Sequence, residues 1–152
     1  LTVVMAQEAL TGLADAESDE RIALGRPISA RVIAADLTNA ARDFGVVIDI
    51  APPTDEEGPC HVARALTLAA TQAIANAIQH ADGQGLAVAV SATRDSCRVR
   101  VSDTGGGINF AAIPADRLGI RASIYARMAA VGGTTEIASG PGSTVIDMRW
   151  HR

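Results

Sequence analysis

The residues from about Cys60 to Ala81 read as one long helix with two unlike faces. Ala63, Leu66, Ala70, Ala73 and Ala77 follow a 3-4-3-4 rhythm, with Ile74 and Ile78 beside them. That rhythm lays an apolar stripe along one side of a helix, and such a stripe has to be covered by other parts of the chain. Gln72, Asn76 and His80 are spaced by four, with Gln79 next to His80. At about 100° per residue these side chains share a narrow arc away from the stripe. A polar arc of this kind is ordinarily solvated surface. It is also suited to the wall of a pocket: the Asn oxygen suits a hard cation such as Mg²⁺, and His and Gln can donate hydrogen bonds to phosphate oxygens. The helix alone leaves both readings open.

What covers the stripe follows from the remaining periodicities. Ser29 is placed to cap a helix running to about Phe44, with Val32, Ile33, Leu37 and Ala40 at helical spacing and Gly45 as its stop. Val46 to Ile50 reads as a strand and Pro52 to Gly58 as an acidic turn. Two strands are expected at Gly85 to Ala92 and Cys97 to Ser102. In the second, Cys97, Val99 and Val101 alternate with Arg98, Arg100 and Ser102, the pattern of a half-buried strand. A helix from about Leu118 to Val131 stops at Gly132-Gly133. Strands at Thr135 to Ser139 and Thr144 to Trp150 then flank a Gly140-Pro141-Gly142 turn. With 48% hydrophobic but only 3% aromatic residues, the core has to be made of Ala, Val, Ile and Leu. Helices on one side of mostly antiparallel strands make an α+β, two-layer α/β sandwich with a mixed sheet.

A second feature carries chemistry. Ser102-Asp103-Thr104-Gly105-Gly106-Gly107-Ile108 directly follows a strand. Asp and Gly together make ordinary turns. Glycine also lets a flat ligand approach the backbone, and a carboxylate is a pure acceptor that matches the N6 amino donor of adenine. In Arg117-Leu118-Gly119-Ile120, a glycine opening a helix is either a cap or a place for an anion at free N–H groups.

Composition removes several function classes. A formal net charge of -4 without a basic cluster is unsuited to gripping nucleic acid. No apolar run approaches the roughly 20 residues of a membrane span, and no secretory pattern opens the chain. Cys60 and Cys97 lack Cys-x-x-Cys spacing, so no zinc site is expected, and two thiols are favoured over a disulfide. The chain opens at Leu1, which leads us to expect a processed chain or a piece of something longer.

The order of these pieces resembles the GHKL ATPases: gyrase, heat-shock chaperone ATPases, histidine kinases and mismatch-repair ATPases. Gln72 to Ala81 looks like the N box, usually Glu-x-x-x-Asn-x-x-x-His-Ala; Asp103 to Gly107 looks like the first glycine box and Leu118-Gly119-Ile120 like the second. Arg117 to Gly133, with Ser139, Pro141-Gly142 and Trp150, looks like the corresponding stretch of actinobacterial histidine kinases. The resemblance covers about residues 28 to 152 and implies a Bergerat-type ATP-binding fold there. Residues 1–27 are expected to be a helical segment, the end of a dimerisation helix or a linker. Only about eleven residues separate Gly107 from Gly119, a short lid like that of the nitrate-sensor and lipid-sensor kinases.

The resemblance implies roles. Asn76 would hold Mg²⁺ against the phosphates, with Gln79 and His80 on the same wall. Asp103 would bind the adenine amino group, with Gly105, Gly107 and Ile108 shaping the base pocket. Leu118, Gly119 and Ile120 would meet phosphates, and Thr144 would sit near the adenine. Two positions depart from the family pattern. The N-box Glu is Gln72, whose amide can orient a group at the catalytic position but cannot accept a proton. The Gly142-Ser143-Thr144 turn is also shorter than the usual Gly-x-Gly-Thr, which bears on Thr144.

His61, His80 and His151 lack the context of a phosphoacceptor. The implied whole is therefore the catalytic domain of a two-component sensor histidine kinase. Such a domain acts with an upstream histidine-bearing dimerisation domain and a response regulator. It is expected to lie in the cytoplasm, in a homodimeric parent protein that is either membrane-anchored or soluble. An anti-sigma-factor-type serine kinase and a non-catalytic nucleotide-binding interaction module are the alternatives.

Overall fold

The computed structural model describes residues 25–81, 84–105 and 115–152, the side chains of residues 80, 81 and 115–121 excepted. The helical segment expected before residue 25 lies outside the described residues, as do Gly107 and Ile108. The described elements run β1 (Ile28–Ser29), α1 (Ala30–Asp43), β2 (Asp49–Ile50), β3 (Glu57–Gly58), α2 (Cys60–Ala81), β4 (Ala87–Ala92), β5 (Ser96–Asp103), α3 (Ala115–Ala129), β6 (Thr134–Gly140) and β7 (Ser143–His151).

Helix α1 starts where its cap residue dictates: the Ser29 side chain accepts a hydrogen bond from the Val32 N–H at 3.2 Å. It ends in a Schellman motif. Gly45, at φ +79°, donates to the Arg42 carbonyl at 2.8 Å, and Val46 donates to that of Ala41 at 3.0 Å. This cap takes Val46 out of the strand expected at 46–50, of which Asp49–Ile50 pair with the sheet. Helix α3 closes in the same way, Gly132 and Gly133 donating to Ala129 and Met128. It begins at Ala115, three residues before the expected start.

The main sheet has five strands in the order β2-β4-β5-β7-β6. The β2–β4 pair is parallel and the others are antiparallel, the mixed sheet expected from the pattern. The expected acidic turn at 52–58 needs correction at its end. Glu57 and Gly58 pair with Ser29 and Ile28 in a small second sheet. A two-residue pairing leaves no periodic trace in a sequence. It depends on a glycine, because a Cβ at Gly58 would overlap Cys97 Sγ and lie 3.2 Å from the Thr93 carbonyl oxygen.

All three helices pack on one face of the sheet, with α2 over β5 and between α1 and α3. The stripe read from the sequence is the buried one: Ala63, Leu66, Ala70, Ala73, Ile74 and Ala77 are all buried, and Ile78 packs half-buried against them. Cys97, Val99 and Val101 meet that stripe from β5, and Ile146, Met148 and Trp150 join them from β7. Both cysteines are free thiols, Cys97 buried and Cys60 half-buried.

The opposite face of the sheet carries a charge cluster. Asp147 accepts from Arg98 through two bonds, at 2.8 and 2.6 Å, and from Arg149 at 2.8 Å. The two guanidiniums cover the carboxylate, leaving the residue 7% exposed, and hold its pKa well below the ordinary carboxylate range. The folded state thus favours the ionised form more than the unfolded chain does. The resulting stabilisation is complete above the unfolded pKa, near 3.9, and is lost progressively as the pH falls below it. Replacing Asp147 with Asn should cost about 1–2 kcal/mol at pH 7, as expected for losing charge-assisted bonds to half-exposed arginines. It should also flatten the decline in stability below about pH 4, which thermal unfolding across pH would read.

Candidate nucleotide-binding site

Asp103 is the last residue of β5 and stands on the helix-facing side of the sheet, two and four residues after the buried Val101 and Val99. Its cross-strand partner is Thr144, at the start of β7, and the partner of Thr144 on the far side is Ser139 of β6. The three therefore form one row across adjacent strands. Asp103 is 7% and Thr144 3% exposed, and the Thr144 and Ser139 hydroxyls are 3.1 Å apart. The shortened Gly142-Ser143-Thr144 turn thus delivers Thr144 directly opposite the carboxylate. Ser139 was not among the expected site residues; the hairpin register around Pro141-Gly142 is the signal that could have found it.

After Asp103 the chain turns at once. Asp103 Oδ1 accepts a hydrogen bond from the Gly105 N–H at 3.0 Å. Burial raises the Asp103 pKa, and the Gly105 hydrogen bond only partly opposes it. A carboxylate that gives up hydration for one backbone donor among the described residues is poorly compensated. It suits a ligand that brings a further donor.

Helix α2 contributes the polar arc. Gln72 and Asn76 are half-buried and Gln79 is exposed. Gln72 Oε1 is shielded from solvent and has no hydrogen-bond partner among the described residues. The C-terminal end of α2 leads into the Gln84-Gly85 turn, and Thr104 donates its N–H to the Gln84 carbonyl at 3.0 Å. Ala87, at the start of β4, pairs with Ser102. The arc and the Asp103 turn therefore occupy the same end of the two-layer sandwich. Gly119 lies in the second turn of α3 rather than at its start. The side chains of His80, Leu118 and Ile120 lie outside the described ones.

Residues 61–151 match one family model, that of the histidine kinase-, DNA gyrase B- and HSP90-like ATPases. The chain belongs to that family. It is a GHKL-type ATPase domain, similar to histidine kinase catalytic domains, and ATP is the ligand its family implies.

Solved structures share the fold of this ATPase domain. The histidine kinase domain of the blue-light activated histidine kinase from Erythrobacter litoralis EL346 superposes with a TM-score of 0.60 at 19% identity, covering 81% of this chain and 66% of that one. The Acinetobacter baumannii histidine kinase AdeS gives 0.62 at 16% identity, covering 95% and 79%. Full-length ShkA, in complex with AMPPNP, gives 0.56 at 21% identity, and the match spans 30% of its length. No curated protein sequence matches the chain. No helix among the described residues of the domain is long and apolar enough to cross a membrane.

Because ionised Asp103 is under-compensated in the free domain, Asp103→Asn should leave the melting temperature unchanged or raise it. The same variant should weaken adenine-nucleotide binding about tenfold or more, the worth of one charge-assisted hydrogen bond. Calorimetric melting and titration of the same sample would check both halves.

Proposed function

We propose that this domain is the catalytic, ATP-binding module of a two-component sensor histidine kinase. The observation that carries the reading is the buried Asp103 carboxylate facing Thr144 at the end of β5. In this reading Asp103 accepts the adenine N6 amino hydrogen, and Gly105 and Gly107, with Ile108, let the base lie close to the backbone. Thr144 flanks the base. The segment around Leu118, Gly119 and Ile120 faces the phosphates. Gln79 and His80 line the same wall.

Mg²⁺ fits the donors at hand. Asn76 offers a neutral oxygen, and Mg²⁺ characteristically keeps several waters and shares phosphate oxygens instead of requiring a full protein cage. The orphaned Gln72 Oε1, one turn before Asn76, is an acceptor that a cation-bound water would satisfy. Among the described residues no group of three or more His, Cys, Asp or Glu side chains could hold a metal, so the nucleotide would supply the remaining ligands. The cation would neutralise phosphate charge. The chain's own part is to position the nucleotide.

The reaction transfers the γ-phosphoryl group from ATP to a histidine nitrogen outside this chain, forming a P–N bond, breaking the terminal P–O bond and releasing ADP. A dimerisation domain upstream in the same protein would carry that histidine, and a response regulator would receive the phosphoryl group. The parent would be a homodimer with this domain in the cytoplasm. A bound ATP analogue, as in ShkA, is the ligand this reading assigns to the site.

Gln72 supports a second reading, a nucleotide-binding interaction module without turnover, because its amide cannot take a proton. On the kinase reading the domain binds a non-hydrolysable ATP analogue in titration calorimetry. Asn76→Ala abolishes the gain in affinity from Mg²⁺. The parent protein labels itself with acid-labile phosphate from γ-labelled ATP. Mg²⁺-dependent binding without any labelling would favour the module. Acid-stable label on a partner's serine would mark a serine kinase.

A further inference from the structure

The residue between Asp103 and Gly105 is tied to a distant turn. Thr104 donates its backbone N–H to the Gln84 carbonyl at 3.0 Å and its hydroxyl to the same oxygen at 3.3 Å. The side chain rests on the next residue, Gly85, which holds φ +62°. A Cβ at Gly85 would overlap Thr104 Oγ1 and lie 2.9 Å from Cγ2. The absence of a side chain at Gly85 therefore makes the seat, and the two hydrogen bonds hold Thr104 in it.

This contact joins two parts of the site. The Gln84-Gly85 turn lies between the end of α2 and the start of β4. Thr104 is flanked by Asp103, whose carboxylate accepts from Gly105, and by Gly105, which donates that bond. Rotation of the Thr104 peptide would move both groups together. Neither Thr104 nor Gly85 is among the residues assigned to touch the nucleotide.

We propose that Thr104, seated on Gly85, is a positioning residue that sets base selectivity by fixing the direction of the Asp103 carboxylate. The inference rests on the reading of Asp103 as the adenine acceptor. Adenine presents an N6–H donor where guanine presents the O6 acceptor. A fixed carboxylate accepts from the first and repels the second. A carboxylate free to swing out to solvent evades the repulsion and gives up part of the attraction, so discrimination falls from both sides.

The test compares binding of the non-hydrolysable imido analogues of ATP and GTP to the intact chain and to Thr104→Val, Thr104→Ser and Gly85→Ala. Thr104→Val keeps the shape and loses the hydroxyl bond. It should lower the adenine-over-guanine affinity ratio about fivefold, the worth of one net hydrogen bond. Gly85→Ala, which fills the seat, should lower it at least as much. Thr104→Ser keeps the hydroxyl and should stay within about twofold of the parent. Melting temperatures measured alongside separate selectivity from stability, and Thr104→Val keeps the test open should Gly85→Ala not fold. A ratio unchanged in Thr104→Val, with normal selective binding by the parent chain, overturns the positioning role alone. A folded parent chain that binds neither analogue, or both equally, overturns the nucleotide reading of Asp103 and this inference with it.

Discussion

The structure depends on the burial of α2 against β5. The stripe from Ala63 to Ala77 is mostly alanine, so the helix can lie close to the sheet, and Val99 and Val101 fill the contact from below. Burying that stripe fixes the rotation of α2 about its axis. With the rotation fixed, Gln72 and Asn76 are held half-buried on another side of the helix. The hydrophobic contact thus positions the polar arc. In this domain the core and the candidate site are two faces of one helix, and a change in the first would re-aim the second.

Two carboxylates on opposite faces of the sheet show how environment assigns roles. Asp147 is covered by the two arginines that hold it ionised, and it ties β5 to β7 on the open face. Asp103 is equally covered but has one backbone donor among the described residues, and burial pushes its pKa upward. The first is fully satisfied within the fold and acts as structure. The second is left with a deficit that a ligand can make good. Environments that push like groups apart thus mark one acid as structural and the other as the candidate for a ligand.

The departure at Gln72 bears on what the domain can do once nucleotide is bound. Phosphoryl transfer draws mainly on positioning and on neutralising charge, neither of which needs a base at that residue. An amide there still offers an acceptor to an ordered water, and its oxygen has no partner among the described residues. Loss of a proton acceptor weighs more on hydrolysis, where water must be activated, than on transfer to a histidine nitrogen that already carries a lone pair.

The sequence by itself determined most of the elements and pointed to residues of the candidate site. The bounds of α2, the cap at Ser29, the stops at Gly45 and Gly132, and the alternation in β5 all follow from local periodicity and from backbone preferences. Asp103 and Asn76 stood out because their residue types and spacing carry chemistry. Pairing across the chain was not legible. The β1–β3 pairing is too short to leave a period, and the first residue of the expected second strand went into a helix cap. The row from Asp103 through Thr144 to Ser139 exists only once β5, β7 and β6 are in register. The seat of Thr104 on Gly85 likewise joins residues on different elements. Local preferences are set by each residue and its near neighbours. Contacts between distant residues are chosen by the packing of the whole core, and only the folded structure decided those.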